Sequence, residues 1–236
     1  GWPPKRKRDV PQYRSSMIVP LAFLALAVFY YAYTGPVSGG SVWFARGRAD
    51  AALLMSEPWR MVTALTLHAD AQHVLGNIIS GGLFGAALSR RMGPGSSLLA
   101  IIAAGALGNS ANALYHLADG HRSIGASTAV FGAVGLLAGV QTILGFGRDK
   151  GRRFGVVDLL APAIGGLALL GTLGSSPDSD ITAHGFGFAA GLLLGLASGW
   201  LIRRRAPRVP SPLSQSASGV AAALLIGACW WLALGG

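Results

Sequence analysis

Seven apolar stretches, at about 17–34, 72–90, 96–116, 126–146, 155–173, 182–202 and 217–234, each come close to the roughly 20 helical residues that span a hydrocarbon core. Backbone N–H and C=O groups find no partner in lipid, so a spanning segment is either a helix or one strand of a closed barrel. The residue alternation that marks barrel strands is absent, strands are not expected, and the chain reads as an all-α membrane protein. Composition agrees: charged residues are 12% of the 236, about half the share of an ordinary soluble domain.

The formal net charge of +10 does not point to nucleic acid, because the positive residues fall in short clusters between apolar runs. Lys5-Arg6-Lys7-Arg8 precede the first run, Arg90-Arg91 follow the second, Arg148 to Arg153 the fourth, and Arg203-Arg204-Arg205 the sixth. Fifteen of the nineteen Lys and Arg residues share one side, and only Arg46, Arg48, Arg60 and Arg122 fall on the other. By the positive-inside rule the N-terminus is cytoplasmic, and seven spans carry the C-terminus outside.

The organisation expected is a basic arm at 1–16, a core at 17–205, a Pro- and Ser-rich linker at 206–216, and a seventh span at 217–236 appended to the core. The first span reads as retained, because no small-residue cleavage site follows it. The connection at 35–67 is too long for a simple hairpin, and Trp43, Phe44 and Trp59 suit a segment lying at the membrane interface. Cys229 is the sole cysteine, which excludes an internal disulfide and a Cys-based metal site.

Polar groups inside such helices are costly, so those present are functional candidates. His73 and Asn77 lie four apart on one helical face of the second span, where both could donate to a negative oxygen; interhelical hydrogen bonding is the bland alternative. His68 lies near the outer end, and its five-residue step to His73 does not supply the helical spacing of a metal pair. Gly125-Ala126-Ser127 opens the fourth span: Ser127 is either a helix cap or a nucleophile beside free backbone N–H groups. Thr128, Gly132, Gly135 and Gly139 form one small stripe, and Gly187, Gly191 and Gly195 another. Packed together, the stripes would bring Ser127 within reach of His184. Asp180, four residues before His184, reads as a solvated loop charge, so a Ser–His dyad is the economical hypothesis.

Four motifs in order, Glu57-Pro58-Trp59-Arg60, His68 to Asn77, Gly125 to Ser127 and Ala183 to Gly191, resemble those of the rhomboid intramembrane serine proteases. The resemblance implies a six-helix core with an additional C-terminal helix, Ser127 as nucleophile and His184 as general base. It implies that His73, Asn77 and the Ser127 N–H form the oxyanion hole, and that Phe131 packs against the histidine. His68, Trp59, Arg60, Gly125, Gly187 and Gly191 would support the site. The implied reaction is hydrolysis of peptide bonds in or near membrane-spanning segments through an acyl-enzyme, with no metal or organic cofactor required. The expected partners are transmembrane protein substrates and the lipid bilayer, in a bacterial plasma membrane. One departure is Thr128, where the family usually has Gly; a β-branched residue there is expected to tighten the loop or alter substrate approach. Two other readings compete: a catalytically silent relative that binds transmembrane helices, and a small transporter, which the lack of an internal repeat disfavours.

Overall fold

The computed structural model describes residues 12–144, 180–205 and 210–236. The span expected at 155–173, the Arg148 to Arg153 cluster and the Lys5 to Arg8 cluster lie outside the described residues. Among the described residues six helices approach or exceed span length: α1 (Ile18–Phe29, continued by a π turn over Tyr30–Thr34), α4 (Ala71–Met92), α5 (Pro94–Tyr115), α6 (Ser127–Leu144), α7 (Ile181–Arg205) and α8 (Pro212–Leu234). Between α1 and α4 lie the short helices α2 (Val42–Gly47) and α3 (Arg60–Thr63). Among the described residues five segments are both long and apolar enough to cross a membrane, and the chain is a multi-pass membrane protein. Helix α4 has the length but is less apolar, because His73, Asn77, Ser80 and Ser89 sit on it.

Local sequence explains the helix ends. Asp70 caps α4, accepting from the His73 N–H at 2.7 Å. Gly93, at φ 84°, turns the chain out of α4, and Pro94 starts α5 where its missing N–H costs nothing. Arg90-Arg91 and Arg203-Arg204-Arg205 occupy the last turns of α4 and α7, where the helix dipole favours cations.

Two short strands depart from the all-α expectation. β1 (Ala49–Asp50) pairs antiparallel with β2 (Arg122–Ser123), the Ala51 N–H reaches the His121 carbonyl at 3.0 Å, and Arg122 Nε meets Asp50 at 2.8 Å. The argument against open edges in lipid does not reach this ladder, which joins two interhelical connections.

Helix α6 is the hub, with every residue from Ser127 to Val140 buried. Its glycines let α7 approach to backbone contact: a Cβ on Gly135 would collide with the backbone of Phe188 to Leu192, and one on Gly191 with the Gly132 carbonyl. On the far side, Phe23 and Val19 of α1 fill the space that Gly81 and Gly85 leave on α4. Such packing stands in for a hydrophobic driving force that lipid cannot supply.

The last helix is no appendage. Ser211 caps it and Pro212 starts it, so residues 212–216, read from composition as linker, form its first turn. Gln215 then ties that turn to the α4–α5 corner: its Nε2 donates to the Met92 carbonyl at 3.1 Å and Ser96 Oγ at 3.1 Å, and its Oε1 accepts from the Ser96 N–H at 3.1 Å.

Candidate active site

The N-termini of α4, α6 and α7 meet at one end of the bundle, and each brings a polar side chain. Chain geometry at Ser127 is set by Gly125, whose φ of 121° strains any other residue and whose missing Cβ leaves room for His73 Nε2. The Gly125 N–H donates to the Ala64 carbonyl at 2.9 Å, and the Ala126 N–H to His68 Nε2 at 3.4 Å. The next residue, Ser127, opens α6. The first helical bond runs from the Val130 N–H to the Ala126 carbonyl at 2.8 Å, so the preceding N–H groups have no acceptor within the helix.

Ser127 Oγ lies 2.9 Å from His184 Nε2, across the seam where the two glycine stripes pack. Phe131, one turn along α6 from Ser127, stacks on the His184 ring with centroids 4.6 Å apart and planes 24° from parallel. One face of the imidazole is thereby fixed while Nε2 addresses the hydroxyl. Gly187 and Gly191 keep α7 close enough for this: a Cβ on either would enter the backbone of α6.

On α4, His73 and Asn77 lie one turn apart on one face, and His73 Nε2 stands beside Gly125, two residues before Ser127. His73 Nδ1 accepts a long bond from the Ala69 N–H, 3.5 Å, which assigns the remaining proton of a neutral ring to Nε2, beside Gly125. Asn77 is 1% exposed, and neither its Nδ2 nor its Oδ1 finds a partner among the described residues. A buried unpaired amide is expensive and needs a reason.

His68 is wholly buried with its ring edge-on to His73, centroids 5.1 Å apart. Burial, with the neighbouring His73 adding to it, pushes the His68 ring down to about 3, so it is neutral and accepts from Ala126. Arg60 and Trp59 make their contacts within the first loop and with the last helix. Arg60 is buried, its Nε on Glu57 at 2.6 Å and its Nη1 on the carbonyls of Ala45 and Arg48 at 3.0 and 3.2 Å. Trp59 packs at the edge of a cluster formed by Phe44, Leu67, Trp230 and Ala233.

Two expectations change. Thr128 does not face the substrate approach: it is 2% exposed and its Cγ2 fills the seam beside Gly108 of α5 and Gly187 of α7. Asp180 is no solvated loop charge. Its carboxylate caps α7, accepting from the Ala183 N–H at 3.0 Å and from Thr182 Oγ1 at 2.9 Å, and it meets Asn112 Nδ2 at 2.9 Å and His121 Nε2 at 2.7 Å. Burial alone would raise this carboxyl, but hydrogen bonds from His121, the Ala183 N–H, Ser123 and Thr182 outweigh it and hold it down at about 2. Asp180 thus joins α5, the connection to α6 and α7 just ahead of His184. Reasoning from sequence missed His121 and Asn112, both isolated polar residues without a motif.

A family model described as the Rhomboid domain matches residues 55–201. Over 140 residues the chain is 31% identical to the putative rhomboid protease YdcA of Bacillus subtilis, covering 58% of this chain and 66% of that protein. It is 32% identical over 120 residues to the rhomboid protease GluP of the same organism, covering 49% of this chain and 23% of that protein. The matched stretch thus spans just under two thirds of the first relative and about a quarter of the second.

Proposed function

Because the chain belongs to the rhomboid family, we propose that it is an intramembrane serine endopeptidase in which Ser127 and His184 form a catalytic dyad. The observation that carries this reading is the 2.9 Å approach of Ser127 Oγ to His184 Nε2, with the ring held by Phe131. That distance lies within hydrogen-bond reach of a nucleophile and its base.

In the proposed reaction Ser127 Oγ attacks the scissile carbonyl carbon while its proton passes to His184 Nε2. The carbonyl oxygen becomes an oxyanion, stabilised by the Ser127 N–H, His73 Nε2–H and Asn77 Nδ2–H. Collapse breaks the C–N bond, and His184 returns the proton to the leaving amine. Water, deprotonated by His184, then attacks the ester carbonyl; the C–Oγ bond breaks, His184 returns the proton to Ser127 Oγ, and the acid is released. Asp180 does not act as a third member, because its carboxylate is engaged by His121, Asn112 and the α7 N-terminus. The substrate class proposed is membrane proteins cut in or near a spanning segment, at a site where the helix unwinds readily, since a helical carbonyl is already bonded and shielded.

The test is cleavage of a labelled single-span substrate in liposomes by the parent, Ser127→Ala and His184→Ala. Each substitution is expected to reduce the rate by roughly 10³-fold or more, with protein yield and thermal transition unchanged. Equal product from all three proteins would overturn the dyad.

A further inference from the structure

The segment that holds the nucleophile turn in place is itself held by the last helix. Residues 64–68 supply both bonds that fix the turn ahead of Ser127: the Ala64 carbonyl accepts from Gly125 and the His68 ring from Ala126. In the middle of that segment Thr66 Oγ1 donates to the Thr63 carbonyl at 2.8 Å and accepts from Trp230 Nε1 of α8 at 3.0 Å. Trp230 is 8% exposed, and its ring closes over Gly47, whose carbonyl accepts from Thr63 Oγ1 at 2.7 Å. Phe29 and Trp43 pack on the same indole, with centroids 5.5 and 4.9 Å away. At its other end α8 is pinned by Gln215. The helix is therefore anchored at one end and delivers one polar atom at the other, into the segment that shapes the nucleophile turn.

We infer that Trp230 is a positioning residue for the reaction: through Thr66 it fixes the 64–68 segment and so the Gly125-Ala126 turn that presents Ser127 Oγ and the Ser127 N–H. The inference rests on the reading of Ser127 as nucleophile for its catalytic consequence, though not for its structural one. Trp230 touches no reacting atom. Its effect falls on the alignment of the nucleophile and the oxyanion donor, which belongs to the transition state, and not on substrate affinity.

The experiment compares the 236-residue parent with Trp230→Phe, which keeps a ring and removes the N–H, with Thr66→Val, with the double variant, and with Thr66→Ser, which restores the hydroxyl. Two readouts are taken in liposomes. The first is amide exchange, by mass spectrometry, of the peptide containing Gly125 and Ala126. The second is kcat and KM for substrate cleavage, together with the rate of Ser127 labelling by a fluorophosphonate. A single interhelical hydrogen bond in a membrane predicts about a three- to tenfold effect. Exchange should rise and kcat and labelling should fall by that factor in Trp230→Phe and Thr66→Val, at unchanged KM. The double variant should lose no more than Thr66→Val alone, which also removes the bond to the Thr63 carbonyl, and Thr66→Ser should match the parent. Exchange at the parent's rate in Trp230→Phe, losses that add in the double variant, or loss in KM alone would each overturn the inference. Because exchange is read without turnover, an inactive parent would sink the dyad reading while leaving this result interpretable.

Discussion

At Gly125 two independent constraints coincide: a φ of 121° and a His73 ring nitrogen where a Cβ would stand. Gly125→Ala is expected to cost about 1–3 kcal/mol in backbone strain and to cut turnover far more than tenfold, because relief requires moving His73 or Ser127. Thermal unfolding and the cleavage assay read the two effects separately. Thr128 gives the opposite pattern. Its methyl group fills a seam, so Thr128→Gly should lower stability by about 1–2 kcal/mol without improving turnover. Faster cleavage by that variant would show the side chain obstructing substrate after all. Motif spacing marked Ser127 and His184, which the fold brings to 2.9 Å, and the candidates His73 and Asn77, since the membrane makes each polar residue conspicuous. It hid Asp180 and Trp230, because nothing local distinguishes a loop carboxylate or an interfacial indole from one gripped by residues far away in sequence.

Among the elements, α8 departs most from what its sequence suggests. Apolar composition marked it as a span, but neither composition nor periodicity shows which neighbours a helix meets in lipid. Gln215 is the informative residue: its Oε1 accepts from the Ser96 N–H, and its two Nε2 hydrogens are shared among the Met92 carbonyl, Ser96 Oγ and, at 3.3 Å, Tyr13 Oη. Gln215→Ala should reduce stability by about 2 kcal/mol, a fall of roughly 5 °C in the thermal midpoint. Its effect on kcat should be small compared with that of Trp230→Phe, because the lost contacts lie at the opposite end of the helix. An unchanged midpoint would show that α8 is not fastened there. The seam of α6 and α7 was easier to read, because glycines at regular helical spacing have few other uses.

For the molecule as a whole, acid acts on buried His68 and half-buried Asp180, both outside the spans, and both respond in one direction. His68 is held near 3 in the folded chain against about 6.5 when unfolded, so below pH 6.5 the unfolded chain binds more protons. Stability from this site is fully present above that pH and is lost progressively down to about pH 3, by a few kcal/mol in total. Asp180, held near 2, adds stability that is present above about pH 4 and lost as pH falls through 2. Thermal scans from pH 7.5 to 4 should therefore show a steady decline that His68→Gln flattens. An equal decline in that variant would assign the acid sensitivity elsewhere.

The backbone contact between α6 and α7 also bears on the proposed reaction. With carbonyls and Cα atoms touching across Gly132, Gly135, Gly191 and Gly195, the interface has no layer of side chains that can rotate aside. Parting those helices to admit a third would also separate Ser127 from His184. On the proposed reading an incoming helix would reach Ser127 along another flank, with α6 and α7 kept together as one packed pair. Cross-linking α6 to α7 should accordingly leave cleavage intact.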